Sequence, residues 1–84
     1  MTRFTVIWSQ AAQDRLAQFW IAATDRAAVS AAANAIDREL AEDPGEKGVE
    51  VAPAIFELTV LPLRVLYEVS EADRQVKVAG VKLA

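Results

Sequence analysis

Pro62-Leu63-Arg64-Val65-Leu66-Tyr67-Glu68-Val69 is the stretch on which the reading of this 84-residue chain turns. Leu63, Val65, Tyr67 and Val69 fall on one side of an extended backbone, and Arg64, Leu66 and Glu68 on the other. Side chains along a strand alternate between faces, so this segment predicts a strand with one apolar face and one mixed face. Just before it, Ala54 to Val60 alternates in the same way: Phe56, Leu58 and Val60 oppose Ile55, Glu57 and Thr59. Leu61-Pro62 lies between the two strands. Just after it, Ser70-Glu71-Ala72-Asp73-Arg74 reads as a turn and Gln75 to Leu83 as a third strand. Simple alternation there sets Val76 and Val78 against Lys77, Ala79, Val81 and Leu83.

Toward the N-terminus the apolar period lengthens. Ala12, Leu16, Phe19, Trp20 and Ala23 form one helical stripe, and Val29, Ala33, Ile36 and Leu40 form another. Ser9 and Asp25 stand where each helix would begin, and their side-chain oxygens suit the free N–H groups of a first turn. Thr24-Asp25-Arg26 is so short a break that the helices must turn back on each other as a hairpin. Asp43-Pro44-Gly45 stops the second helix, because proline disfavours helical geometry in the residue before it. Residues 44–53, bounded by Pro44 and Pro53, read as a polar loop. Ahead of the first helix, Phe4-Thr5-Val6-Ile7-Trp8 is a β-branched and aromatic run that reads as a strand.

The predicted fold class is therefore α+β, in the order β-α-α-β-β-β. A helical hairpin packs on one face of a mainly antiparallel four-stranded sheet, and residues 1–84 make one domain. Leu16, Trp20, Val29, Ile36, Phe56, Leu58, Val65 and Tyr67 are the expected core. The opposite face carries Ile7, Ile55, Leu66, Val81 and Leu83 among Arg64, Glu57, Glu68 and Lys77. An apolar centre with a charged rim is the pattern of a partner-binding surface, and these residues, Arg64 included, are the candidate interface.

Composition removes several chemistries. The chain has neither cysteine nor histidine, which excludes disulfides, zinc ribbons and Cys- or His-based catalysis. A net charge of −3 argues against a general nucleic-acid binder, whose affinity comes from a basic surplus. Apolar residues make up 54% of the chain, too many for a disordered one. The run from Ile21 to Leu40 is broken by Asp25, Arg26, Asp37, Arg38 and Glu39, so no membrane span is expected. Neither is a secretory leader, and the expected location is the cytoplasm.

In order and spacing, nearly the whole chain resembles the RelE/ParE superfamily of type II toxin–antitoxin toxins, often called plasmid-stabilisation proteins. The resemblance rests on Val6-Ile7-Trp8-Ser9 leading into a helix, on Ile36-Asp37-Arg38-Glu39-Leu40-Ala41-Glu42-Asp43-Pro44, on Leu63 to Val69, and on the Val76-Lys77-Val78 strand. It implies that the first strand lies beside the last, that no cofactor is needed, and that a cognate antitoxin from an adjacent gene holds the protein inactive. Members of this superfamily act on DNA gyrase through protein contact (ParE-like) or cut messenger RNA on the ribosome (RelE-like); a binding module that keeps the fold without toxicity is a third reading, and so short a chain also gains stability from a partner or a homodimer. In the RelE-like branch an arginine on the penultimate strand steadies the phosphate, and Arg64 matches it. Ribonuclease chemistry also needs a base, an acid and further cations at the phosphate. The neighbouring strand instead offers Phe56 and Glu57, the 44–53 segment only Lys47, and the end of the chain reads Ala79-Gly80-Val81-Lys82-Leu83-Ala84. The ParE-like reading therefore ranks first.

Overall fold

A computed structural model describes residues 3–84; Met1 and Thr2, part of the expected 1–84 domain, lie outside the described residues. Strand β1 is Thr5–Trp8, helix α1 Gln10–Ala22 and helix α2 Arg26–Glu42. A short helix α3, Pro44–Lys47, leads into β2, Val49–Ala52, which is followed by β3, Ile55–Val60, β4, Leu63–Ser70, and β5, Gln75–Leu83. The five strands form one sheet in the order β1-β5-β4-β3-β2. β1 runs parallel to β5, and the other neighbours are antiparallel. The α+β class, the hairpin on one face and the first strand beside the last all stand.

The strand count is corrected from four to five. Val49-Glu50-Val51-Ala52 was expected inside a polar loop, yet it pairs with β3 as an edge strand. Its alternation is short and sits between Gly48 and Pro53, residues that by themselves point to a loop. Pro44 also opens a helix here, since a proline at the first helical position gives up an N–H that would be unpaired anyway.

Both helix caps form as the sequence implies. The Ala12 N–H donates to Ser9 Oγ at 3.1 Å, and the Ala28 N–H to Asp25 Oδ1 at 3.0 Å. From α2, Val29, Ala32, Ile36 and Leu40 are buried, as the 3–4-residue spacing of one helical face requires. They meet Leu63, Val65, Tyr67, Val76 and Val78 from the centre of the sheet. Each aliphatic side chain so buried contributes roughly 1.5–3 kcal/mol. The Tyr67 ring stacks on Phe56, centroids 5.5 Å apart, in line with their register pairing on the core face.

Three of the expected core residues, Leu16, Phe56 and Leu58, are only half-buried at its margin. Trp20 is corrected outright: it is 41% exposed. Its indole lies at the open side of the hairpin, donating from Nε1 to Ser30 Oγ at 3.1 Å and carrying the Arg26 guanidinium over its ring at 4.7 Å. An amphipathic ring with a polar tip is satisfied there without full burial.

Candidate functional site

Rows of register-paired residues cross the face of the sheet away from the helices, and three of them carry its large apolar and charged side chains. One row runs Ile55, Glu68, Lys77, Ile7. The next runs Val49, Glu57, Leu66, Gly80. The third runs Thr59, Arg64, Lys82. Ile7 and Leu66 are exposed large apolar residues here, and Val49 at the edge is 71% exposed. Ile55 is half-buried.

Val81 and Leu83 are not on this face. The β4–β5 register steps from Leu66↔Gly80 to Tyr67↔Val78, so Ala79 is an extra residue in β5. A bulge of this kind reverses the alternation beyond it. Val81 consequently faces the helices beside Val65 and is buried, while Leu83 pairs with Leu63 and sits near Phe19 and Pro62. The same step turns Gly80 and Lys82 outward. Neither was singled out in the sequence. The usable signal was Ala79-Gly80 inside an otherwise β-branched strand, since glycine in a strand often marks a bulge or a close approach.

Arg64 lies at the centre of the third row. Its Nε donates to Thr59 Oγ1 at 3.2 Å and stands 3.9 Å from Glu57 Oε1. The terminal guanidinium nitrogens have no partner among the described residues. Lys82, register-paired with Arg64, has no carboxylate within ion-pair distance among them either. The face thus sets three cations, Arg64, Lys77 and Lys82, against two carboxylates, Glu57 and Glu68, on a chain whose net charge is −3. Its basic end is a local feature of an acidic protein.

Tyr67, the one tyrosine, contributes nothing to this face. It points into the core, its hydroxyl donating to the Pro44 carbonyl at 2.6 Å, and burial pushes its pKa up to about 12. A phenol so protonated and enclosed cannot serve as a base near neutral pH. Among the described residues, no three acidic side chains gather closely enough to hold a metal ion. No helix is long and apolar enough to cross a membrane.

A second concavity, of about 900 Å³, opens between the two helices and β1, with Val6, Leu16, Trp20 and Ile21 among its walls. Trp8 also lines it and donates from Nε1 to Asp37 Oδ1 at 2.6 Å, tying β1 to α2. The β1 edge beside it is partly closed. The Phe4 N–H donates to the Ala41 carbonyl, and Gln13 Nε2 to the Trp8 carbonyl. The edge offered by β2 is exposed along its whole length.

A helical hairpin on one face of a five-stranded mixed sheet, the other face bare and partly apolar, defines a small α+β class. No family model matches the sequence, and no curated protein matches it significantly. Solved structures do. The chain is similar over 100% of its length, and 94% of the other chain, to a chain of the toxin–antitoxin complex RelBE2 from Mycobacterium tuberculosis, with a TM-score of 0.82 at 17% identity. It is similar to a chain of the RelE–RelB complex from Pyrococcus horikoshii, covering 99% of this chain and 96% of that one, TM-score 0.73 at 16% identity. A chain of the ParDE system from Pseudomonas aeruginosa matches 98% of it, with 97% of that chain covered, TM-score 0.65 at 12% identity. The fold is that of the RelE and ParE toxins.

Proposed function

We propose that this protein is the toxin component of a type II toxin–antitoxin system, that it acts through protein–protein contact in the ParE manner, with DNA gyrase as the target class, and that an antitoxin from the adjacent gene neutralises it. The observation that carries this reading is the bare sheet face, where Ile7, Leu66 and Val49 are exposed among charged side chains. Apolar area of this kind costs free energy in water until a partner covers it. The likeness of fold supports the assignment, since neighbours at TM-scores of 0.82 and 0.73 come from toxin–antitoxin complexes. The protein works in the cytoplasm, where such targets are.

The ribonuclease alternative is weaker on chemistry. Arg64 and Lys82 could bind one phosphate, but there is no histidine, and the one tyrosine is sealed in the core. The chemistry needs a base for the 2′-hydroxyl and an acid for the leaving oxygen, and Glu57, the carboxylate beside Arg64, is engaged as its ion-pair partner.

The test is co-expression with the adjacent gene product and recovery of a complex. Leu66→Glu would replace apolar contact surface with a carboxylate that occupies the cations beside it, and should weaken recovery while circular dichroism stays unchanged. Equal recovery of wild type and Leu66→Glu would move the interface elsewhere. Absence of any complex would favour the non-toxic relative.

A further inference from the structure

Gly80 leaves a notch in the bare face. A Cβ built on it would meet only Leu66 Cβ, at 3.9 Å, which is ordinary contact, and its backbone is not in the left-handed region. Neither packing nor backbone strain therefore requires glycine at this position. A β-branched residue would suit a strand better, because glycine in a strand interior is destabilising. What its absent side chain does is floor a depression of about 220 Å³ walled by Leu66, Arg64, Lys82 and Glu57.

The walls specify an occupant. Leu66 and the bare Gly80 backbone offer apolar contact at the bottom. Arg64 is held at its Nε by Thr59 Oγ1, which leaves the terminal guanidinium nitrogens to present a fork, with Lys82 alongside. A guanidinium fork fits a planar carboxylate with two parallel hydrogen bonds. We propose that this notch receives a glutamate side chain from an acidic polypeptide segment lying across the sheet face, its methylenes on Leu66 and Gly80 and its carboxylate on Arg64 and Lys82. The inference rests on the reading of this face as a protein interface, and it names the chemistry of the partner. Single-stranded RNA is the competing occupant. It is disfavoured because only two cations border the notch, Glu57 stands among them, and exposed Leu66 and Val49, on either side of Glu57, add apolar surface toward the sheet edge.

The experiment uses the whole protein and three probes: a synthetic peptide of alternating Leu and Glu, the same peptide with Gln for Glu, and an RNA oligonucleotide. Binding is read as nuclear magnetic resonance shifts of the Gly80 and Leu66 amides and the Arg64 Nε–H. The Glu peptide should shift all three and bind at least roughly threefold more tightly than the Gln peptide. Gly80→Val should abolish the shifts at Leu66 and Arg64 without loss of stability, and Lys82→Glu should weaken the Glu peptide but not the Gln peptide. Equal binding of the two peptides, or unchanged binding by Gly80→Val, overturns the notch. Tighter binding of RNA than of the Glu peptide also overturns it, in favour of a phosphodiester. Recovery of an adjacent-gene partner that tolerates Gly80→Val would leave the protein-interface reading intact while sinking this one.

Discussion

The hydroxyl of Tyr67 donates to the carbonyl oxygen of Pro44 at 2.6 Å, joining the central strand to the first residue of α3. Gly48 is crowded against the same hydroxyl: a Cβ there would collide with Tyr67 Oη and lie 2.7 Å from the Glu57 carbonyl oxygen. Tyr67→Phe should cost about 1–3 kcal/mol in a urea titration, because a buried carbonyl loses its donor. Gly48→Ala should cost a similar amount, about 1–3 kcal/mol, through overpacking. A loss under about 0.5 kcal/mol for both would mean that α3 is not anchored through this ring.

The same hydroxyl makes alkaline stability a measurable property. Its pKa is raised from 10.0 to about 12 by burial, so the folded chain holds the phenolic proton more tightly than the unfolded one. The stabilisation is whole below pH 10 and drains away as pH rises from about 10 toward 12, a total on the order of 2–3 kcal/mol. Unfolding followed across that window should steepen for the wild type relative to Tyr67→Phe. Parallel curves would place the phenol in water.

Depth in the core should rank two leucines. Leu63 is fully buried, and Leu63→Ala should cost roughly 2–5 kcal/mol through the cavity it leaves. Leu58, half-buried at the margin, should cost less, about 1–2 kcal/mol. Reversed ranking would contradict the sheet register.

Ala54 adopts φ 64°, in the left-handed region, at the turn between β2 and β3. That conformation costs a residue with a Cβ roughly 1–2 kcal/mol, part of which glycine returns through its greater freedom when unfolded. Ala54→Gly should therefore raise stability by about 0.5–1 kcal/mol in thermal melts. A lower melting temperature would show that the turn is not held in this conformation.

Purified protein should leave messenger RNA on translating ribosomes intact. Toeprinting is the assay, with Arg64→Ala as the control. Codon-specific cuts lost in Arg64→Ala would promote the ribonuclease reading over the one proposed.

Most of the fold was legible because its signals are local. Ser9 and Asp25 cap the helices they precede in the sequence, and alternation placed Val65 and Tyr67 inward and Arg64 and Leu66 outward. Two signals were not local. The Ala79 bulge depends on how β5 pairs with both β1 and β4, so alternation alone carried Val81 and Leu83 to the wrong side and hid Lys82 and Gly80. Val49-Glu50-Val51-Ala52 becomes a strand only because β3 offers it an edge. Trp20 sits on the predicted stripe, but the hairpin is open where its ring lies, and a hydrogen bond to Ser30 holds it at the surface.

The place of β5 between β1 and β4 sets a schedule for the chain as it is made. β1 has no strand neighbour until Gln75 to Val78 exist, since its register runs from Thr5↔Gln75 to Trp8↔Val78. Until then Phe4, Val6 and Trp8 have no sheet to join, and the hairpin has only half a floor. Contacts so distant along the chain close late and slow folding, and apolar surface left waiting is prone to aggregation. The bare face also depends on that closure, because Gly80 and Lys82 take their places only when β5 does. A nascent chain therefore lacks this face until β5 has been made, and gains it together with the completed sheet.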